Sequence, residues 1–372
     1  MNADVAVIGA GIAGAAAAYE IAASRSVVLL EREDQPGYHS TGRSAALYTE
    51  NYGNAAIRAL TIGSRPFFER PPEGFADTPI LTPRGVLFLA REDQQAAVAH
   101  LLAEAAGEGL AEISIAEACR LLPVLRPDYA ARALHEVAAM DMDVHALHHG
   151  FLKGLKGRGG RLATNAEVRA IERRPQGWRL ATAAGEIDVS VIVNAAGAWA
   201  DEVAALAGPK RLGLTPKRRT VLTFDPPAGV SLQGWPMAID AEETFYFRPE
   251  AGRILASPAD ETPVPPCDVQ PEEIDLALTV DRIERATTLK VASIGHKWAG
   301  LRSFFPDKTP VAGWSGEAPG FFWLAGQGGY GIMTSPALGR VAAALIAGQD
   351  LPADLRALGL DPAALSPTRL GG

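Results

Sequence analysis

Three glycines, Gly9, Gly11 and Gly14, stand in the order G-x-G-x-x-G near the start of the chain. That spacing suits a backbone that must grip a pyrophosphate. Gly9 permits a tight turn, Gly11 lets the main chain approach the phosphates, and Gly14 lets a helix pack closely on a strand. The N–H groups at the start of the following helix, from Ile12 and Ala13 onward, would face the phosphate charge. Glu31 lies about 20 residues further on, where an acid binds the ribose hydroxyls of an adenine nucleotide.

The elements around these residues agree with that chemistry. Asp4–Ile8 is a short apolar run of the buried-strand type, Ala15–Ala23 is Ala-rich and reads as helix, and Ser26–Leu30 is a second apolar run ending at Glu31. Together they form a strand–turn–helix–strand unit. The glycine fingerprint alone does not separate NAD from FAD; two further segments do. The run Gly37-Tyr-His-Ser40-Thr41-Gly42-Arg43-Ser44-Ala45-Ala46 follows the second strand directly, and a long Gly/Ser loop there can run beside a pyrophosphate toward a flavin ring. A helix is expected to open near Ser44. Near the C-terminus, Gly326-Gln-Gly328-Gly329-Tyr330-Gly331-Ile332-Met333-Thr334 sits between the apolar run Phe321–Ala325 and a helix over Ser335–Ile346. A helix N-terminus there can face the negative charge of a reduced flavin. An NAD-only domain needs no such return from a distant part of the chain, so the cofactor expected is FAD.

Other segments place the rest of the chain. Gly85–Leu89 reads as strand, Asp93–Ala106 as helix, and Ser114-Ile-Ala-Glu117 as a capping box opening a helix to Leu122. Val144–Lys156 is helical; Glu167–Ile171, Trp178–Thr182 and Val189–Val193 are strand-like. The last of these runs into Asn194-Ala-Ala196-Gly197-Ala-Trp199 and a short helix. Arg219–Phe224, Phe245–Phe247 and Arg253–Ala256 are sheet-like, and Pro258–Pro271 is a proline-rich loop. Alternating α/β segments at the start, middle and end enclose strands of antiparallel character. The expected fold is therefore α/β plus α+β: a discontinuous Rossmann-like FAD-binding domain (1–82, 144–215 and 300–372) with an inserted, mainly antiparallel-sheet substrate domain (83–143 and 216–299).

Composition narrows the function. The 372 residues are 48% hydrophobic and carry a formal net charge of −8. Such a surface disfavours nucleic acid and anionic lipid in bulk; the short basic run Lys217-Arg218-Arg219 is no polyphosphate groove. The early apolar run is too short for a membrane span and is broken by glycines, so a soluble protein is expected, with room for peripheral membrane contact. Cys119 and Cys267 show neither disulfide-framework nor zinc spacing, which fits a reduced, cytoplasmic setting. His145, His148 and His149 share one helix with no carboxylate at a suitable spacing, so they read as helix surface and packing; no metal is expected.

With these motifs in place, the sequence resembles the D-amino-acid-oxidase/glycine-oxidase superfamily of flavoenzymes and, more narrowly, the bacterial FAD-dependent D-arginine dehydrogenases. The resembling segments are Val7–Gly14, Leu30–Glu33, Gln35–Ala46, Val193–Trp199, Pro216–Arg219, Trp298–Ser303 and Gln327–Ile332. The resemblance implies oxidation of a D-amino acid to the imino acid, which water converts to the 2-oxo acid and ammonia. It assigns cofactor contacts to Gly9, Gly11–Gly14, Glu31 and Arg32, Ser40–Leu47, Val168, Ala196, Gly197, Trp199 and Gly328–Thr334. It makes Arg219 and Arg302 the clamp for the substrate carboxylate, a role that suits a guanidinium fork. Tyr52 and Tyr246 would hydrogen-bond that carboxylate and wall the pocket, and the Gly329 carbonyl would accept from the substrate amine.

Two departures bear on the substrate. In the arginine-specific relatives a carboxylate just after the pair matching Pro83-Arg84 holds the guanidinium; Val86 stands there in this chain. A histidine after the Ser-Ala-Ala run is replaced by Leu47. With Met333, these make an apolar pocket, in which an unpaired guanidinium would cost several kcal/mol. Apolar D-amino acids are therefore expected ahead of D-arginine. A 2-hydroxy acid or an N-methyl (secondary) amino acid would meet the same arginine clamp and is the alternative substrate. Neither cysteine lies where sarcosine-oxidase-type relatives attach flavin, so FAD should be non-covalent. Ala45 matches the dehydrogenases and no lysine is placed over the flavin, which favours a dehydrogenase passing electrons to a quinone or other carrier over one using O2.

Overall fold

The computed structural model describes residues 2–105 and 109–371. Asn2–Ile8 (β1), Ile12–Ile21 (α1) and Val27–Leu30 (β2) form the expected unit, and β1 and β2 run parallel. They lie in an eight-stranded sheet with β1 also parallel to Gly185–Asn194, which in turn is parallel to Phe321–Ala325. All four residues of β2 and all five of Phe321–Ala325 are buried, as near-continuous apolar runs covered on both faces should be. Segments from the two ends and the middle of the chain thus meet in one sheet.

The α1 helix packs against the helix Ser335–Ile346, from the last part of the chain, and against Val144–Gly157. Small residues permit both approaches: a Cβ at Gly339 would meet the Ala16 carbonyl oxygen at 2.9 Å, and one at Gly154 would strike the Tyr19 ring at 2.4 Å. The second sheet has nine strands, drawn from Val86–Ala90, Leu110–Ile113 and Arg132–Glu136 and from several segments between Thr215 and Phe304. Its pairings are antiparallel except between Val86–Ala90 and Met237–Asp240. Leu47–Tyr48, Leu81–Pro83 and Met140–Met142 make a small third sheet between the others in sequence.

Several local expectations change. No helix opens near Ser44; residues 35–46 are turns and irregular chain, and Leu47–Tyr48 is a two-residue strand instead. Backbone amides of the loop close turns within it, such as Gly42 N–H to the Gly37 carbonyl at 2.7 Å, and its side chains reach out, as Ser40 Oγ does to the Leu301 carbonyl at 2.6 Å. Asp93–Ala106 is a 3-10 turn over Glu92–Gln94 followed by a helix over Gln95–Glu104; Ala106 lies outside the described residues. Two helices lie where the sequence reading assigns none, Ala55–Glu69, which contains Pro66, and Glu273–Ala286. Among the described residues, no helix is long and apolar enough to cross a membrane.

Candidate active site

A cleft of ≈ 540 Å³ runs along the C-terminal ends of the parallel strands, the place where open α/β sheets take ligands. Gly9 turns the chain with φ +100°, and a Cβ on Gly14 would stand 1.9 Å from the Gly9 carbonyl oxygen, so both positions are closed to side chains. Gly9, Gly11, Ile12, Ala13, Glu31 and Arg32 line the cleft at this end. The Glu31 carboxylate accepts the Ala10 N–H at 3.0 Å and the Glu33 N–H at 3.1 Å, which fixes it at the mouth of the turn. The Ile12 N–H is not free, as the fingerprint implied; it donates to Thr41 Oγ1 at 3.0 Å, tying the Gly-rich loop to the helix start. His148 is buried beneath the same turn, its Nε2 2.8 Å from the Ala10 carbonyl oxygen, while His145 and His149 are exposed. Among the described residues no three His, Cys, Asp or Glu side chains are grouped to hold a metal ion.

Further along, the cleft is walled by Ser40, Thr41, Arg43, Ser44 and Ala45, by Val168, Ala196, Gly197 and Trp199, and by Gly328, Gly329, Gly331 and Ile332. Arg32 lies over the Trp199 ring at 4.4 Å. Four sequence candidates line no part of the cavities. Gly14 packs inside the turn, and Gly42 closes the loop on Gly37. Tyr330 is buried against Tyr52 and Phe304, and Thr334 is buried with its hydroxyl on the Tyr330 carbonyl at 2.9 Å. Their part is to shape the turns that carry the lining residues.

A second cavity of ≈ 110 Å³ adjoins the cleft, sharing Ser44, Ala45, Arg219, Tyr246, Arg302, Gly329 and Ile332 with it. Its other walls are Ala46, Leu47, Thr49, Asn51, Tyr52, Val86, Phe88, Leu101, Met237, Ile239, Glu243, Ala259 and Met333. Phe88 and Ile239 stand two residues from Val86 and Met237 on their strands and so share their faces, a signal the period-two pattern carries. Nothing in the sequence pointed to Glu243, which sits in a tight turn at φ +54°.

The two arginines come from adjacent antiparallel strands, Thr215–Phe224 and Lys297–Phe304, where Arg219 lies opposite Gly300 and Lys217 opposite Arg302. Arg219 and Arg302 are therefore diagonal neighbours on one face of the sheet. A Cβ on Gly300 would stand 3.5 Å from Arg43 Cβ, and a Cβ on Gly329 would come within 2.8 Å of Arg302 Nη1, so the C-terminal glycine turn rests directly on the guanidinium. Arg219 Nε donates to the Asp260 carbonyl at 2.9 Å and its Nη2 lies 3.4 Å from Glu261 Oε1. Burial, and then the like charge of Arg302, lower the Arg219 pKa. Burial also opposes the charge on Arg302, but the Tyr52, Tyr246 and Glu243 oxygens outweigh it and hold that pKa up. The Tyr52 hydroxyl donates to Glu243 Oε2 at 3.3 Å; burial and then Glu243 push its pKa up to about 12, so it stays protonated as a donor.

The walls fit a flavin dinucleotide. Arg302 Nη1 and Gln327 Nε2 are buried donors without a hydrogen-bond partner among the described residues, and both border the cleft where the glycine turn closes it. The glycines at 9 and 11 leave room for an anion beside backbone that a Cβ would crowd.

Comparison with known proteins agrees. The family model DAO, FAD dependent oxidoreductase, matches residues 4–345. The chain is similar to mitochondrial dimethylglycine dehydrogenase of Mus musculus, 26% identical over 396 residues, covering 97% of this chain and 44% of that protein. The chain thus spans under half the length of the dimethylglycine dehydrogenases it matches. Similarity to glycine oxidase of Geobacillus kaustophilus is 24% over 366 residues, 95% of each chain. The solved glycine oxidase from that organism superposes with a TM-score of 0.85 at 23% identity, covering 99% of both chains, and L-proline dehydrogenase from P. horikoshii with 0.81 at 23%, covering 97% of both. Those likenesses establish the fold: a Rossmann-like FAD-binding region joined to an antiparallel substrate region. With the family model spanning nearly the whole chain, this protein belongs to the FAD dependent oxidoreductase (DAO) family, and its cofactor is FAD.

Proposed function

We propose that the protein is a D-amino-acid dehydrogenase favouring apolar side chains. The observation that carries this reading is the small cavity itself: two guanidinium groups on one face, two tyrosines beside them, and otherwise mostly aliphatic walls, opening directly onto the cofactor cleft. Arg302 and Arg219 clamp the substrate carboxylate, whose charge relieves their mutual repulsion. Tyr52 and Tyr246 add hydroxyl contacts, and the Gly329 carbonyl accepts from the amine. The side chain then lies among Leu47, Val86 and Met333. FAD, when bound, supplies the two-electron acceptor for the α-carbon hydride. The chain's residues hold the α-carbon in place, and the amine reacts in its neutral form, so no strong base is required. The D configuration and the narrower likeness to D-arginine dehydrogenases rest on the sequence motifs.

The residue assignments given for the two cavities and the division at 1–82, 144–215 and 300–372 against 83–143 and 216–299 belong to this proposal. So do non-covalent FAD, a quinone or other carrier as acceptor in preference to O2, and a cytoplasmic setting. A steady-state panel with a dye acceptor tests the preference: kcat/KM for D-leucine or D-phenylalanine should exceed that for D-arginine by at least tenfold, about 1.4 kcal/mol. Equal values would refute it. Peroxide released in air at the rate of turnover would reassign the enzyme as an oxidase. Yellow colour retained in an acid-precipitated pellet would show covalent flavin.

The similarity to dimethylglycine dehydrogenases favours one second reading, an N-methyl amino acid as substrate. The same arginines would hold its carboxylate, with the methyl groups against Val86 and Met237. A 2-hydroxy acid would be held in the same way.

A further inference from the structure

One buried carboxylate beside the small cavity takes no part in the proposed chemistry. Glu136 is 1% exposed. Its strand, Arg132–Glu136, pairs with Val86–Ala90 so that Glu136 lies directly opposite Val86. Cross-strand partners present their side chains to the same face, so Glu136 shares the face of the sheet on which Val86 walls the cavity. Glu136 does not itself reach the cavity. Its Oε1 accepts the Thr49 hydroxyl at 2.7 Å, and Thr49 Oγ1 in turn accepts the Asn51 N–H at 3.2 Å. Burial pushes the Glu136 pKa up, while Thr49 and Asn51 pull it down.

The segment so held forms one side of the cavity: Leu47, Thr49, Asn51 and Tyr52 all line it. Its first half has other anchors. Arg248 Nη1 donates to the Ala46 carbonyl at 3.1 Å, and Leu47–Tyr48 pair with Met140–Asp141. Its far end enters the Ala55–Glu69 helix through the Asn54 cap. Between these points the Thr49–Glu136 bond ties the chain to the second sheet. Resting on the assignment of the small cavity as the amino-acid site, we propose that Glu136 is a positioning residue. Through Thr49 it holds segment 49–53, and the Tyr52 it carries, against the cavity, and so sets substrate affinity without touching substrate.

The test compares Glu136→Val, Glu136→Gln, Thr49→Val and the double variant Thr49→Val/Glu136→Val as FAD-loaded enzymes. Two readouts are taken: KM and kcat for the best substrate, and hydrogen–deuterium exchange of the peptide covering 47–53. Glu136→Val and Thr49→Val should each raise KM about tenfold, as loss of one hydrogen bond to a charged group implies, with kcat and FAD content little changed. Glu136→Gln, which keeps an acceptor, should stay near the parent. The double variant should be no worse than the worse single one, and exchange at 49–53 should rise in the three variants that carry valine and not in Glu136→Gln. If Glu136→Val does not fold, Thr49→Val decides by the same readouts. Unchanged exchange and KM, effects that add in the double variant, or a Glu136→Gln as impaired as Glu136→Val would overturn the proposal. Should no amino acid be turned over at all, the assignment of function fails, and the exchange result alone still decides whether Glu136 holds the segment.

Discussion

Arg302 joins the two cavities; its Nη1 is a buried donor without a hydrogen-bond partner among the described residues, and the glycine turn lies against its guanidinium. Removing it by Arg302→Met should cost about 3–5 kcal/mol of transition-state binding. That corresponds to a fall of roughly two to four orders of magnitude in kcat/KM for carboxylate substrates, measured by steady-state kinetics, with FAD content retained. Val86 gives a complementary prediction. Val86→Glu should raise the D-arginine to D-leucine ratio of kcat/KM at least about tenfold by supplying the missing counter-charge; an unchanged ratio would remove Val86 from the specificity pocket. His148 predicts a pH effect on stability. Burial lowers its pKa from 6.5, so the unfolded chain takes up a proton that the folded chain refuses. The stability it confers is therefore complete above about 6.5 and is lost as pH falls through that value toward the folded pKa. Melting curves between pH 7 and 5 should fall more steeply for the parent than for His148→Gln.

At the scale of elements, the β1–α1–β2 unit was legible because each of its glycines answers a separate steric demand. Gly14→Ala would place a methyl 1.9 Å from the Gly9 carbonyl oxygen, so the helix must shift off the strand. FAD content, read from the ratio of flavin to protein absorbance, should collapse, with stability down by about 1–3 kcal/mol. The buried strands and the Ser335–Ile346 helix were also readable, since apolar runs and a 3.6-residue period mark them directly. The helix expected near Ser44 was not there, because the Gly/Ser loop closes its amides in turns rather than in a helical ladder, while Thr41 Oγ1 accepts the Ile12 N–H. Ala55–Glu69 was obscured by Pro66, which the helix carries on its exposed side while Ile57, Leu60 and Phe68 are buried. Glu243 and Glu136 were invisible for a different reason: one depends on a turn at positive φ, the other on a pairing register, and neither leaves a trace in local spacing.

Across the whole molecule, three stretches distant in sequence build the cofactor cleft, while the second sheet brings Arg219, Tyr246 and Arg302 to its edge. The strands Thr215–Phe224 and Lys297–Phe304 pair across two of the four junctions proposed between the two regions, 215/216 and 299/300, so cofactor and substrate walls share a hydrogen-bonded seam. The central claim is that this seam presents an amino-acid carboxylate and α-carbon to FAD. The most direct measurement is anaerobic loss of flavin absorbance at about 450 nm on adding D- and L-amino acids, N-methyl amino acids and 2-hydroxy acids in turn, reduction by bound substrate being the step the arginine clamp serves. Rapid bleaching by apolar D-amino acids, with L-enantiomers and 2-hydroxy acids inert, is the predicted result. Bleaching by N-methyl amino acids or 2-hydroxy acids but by no D-amino acid would contradict it.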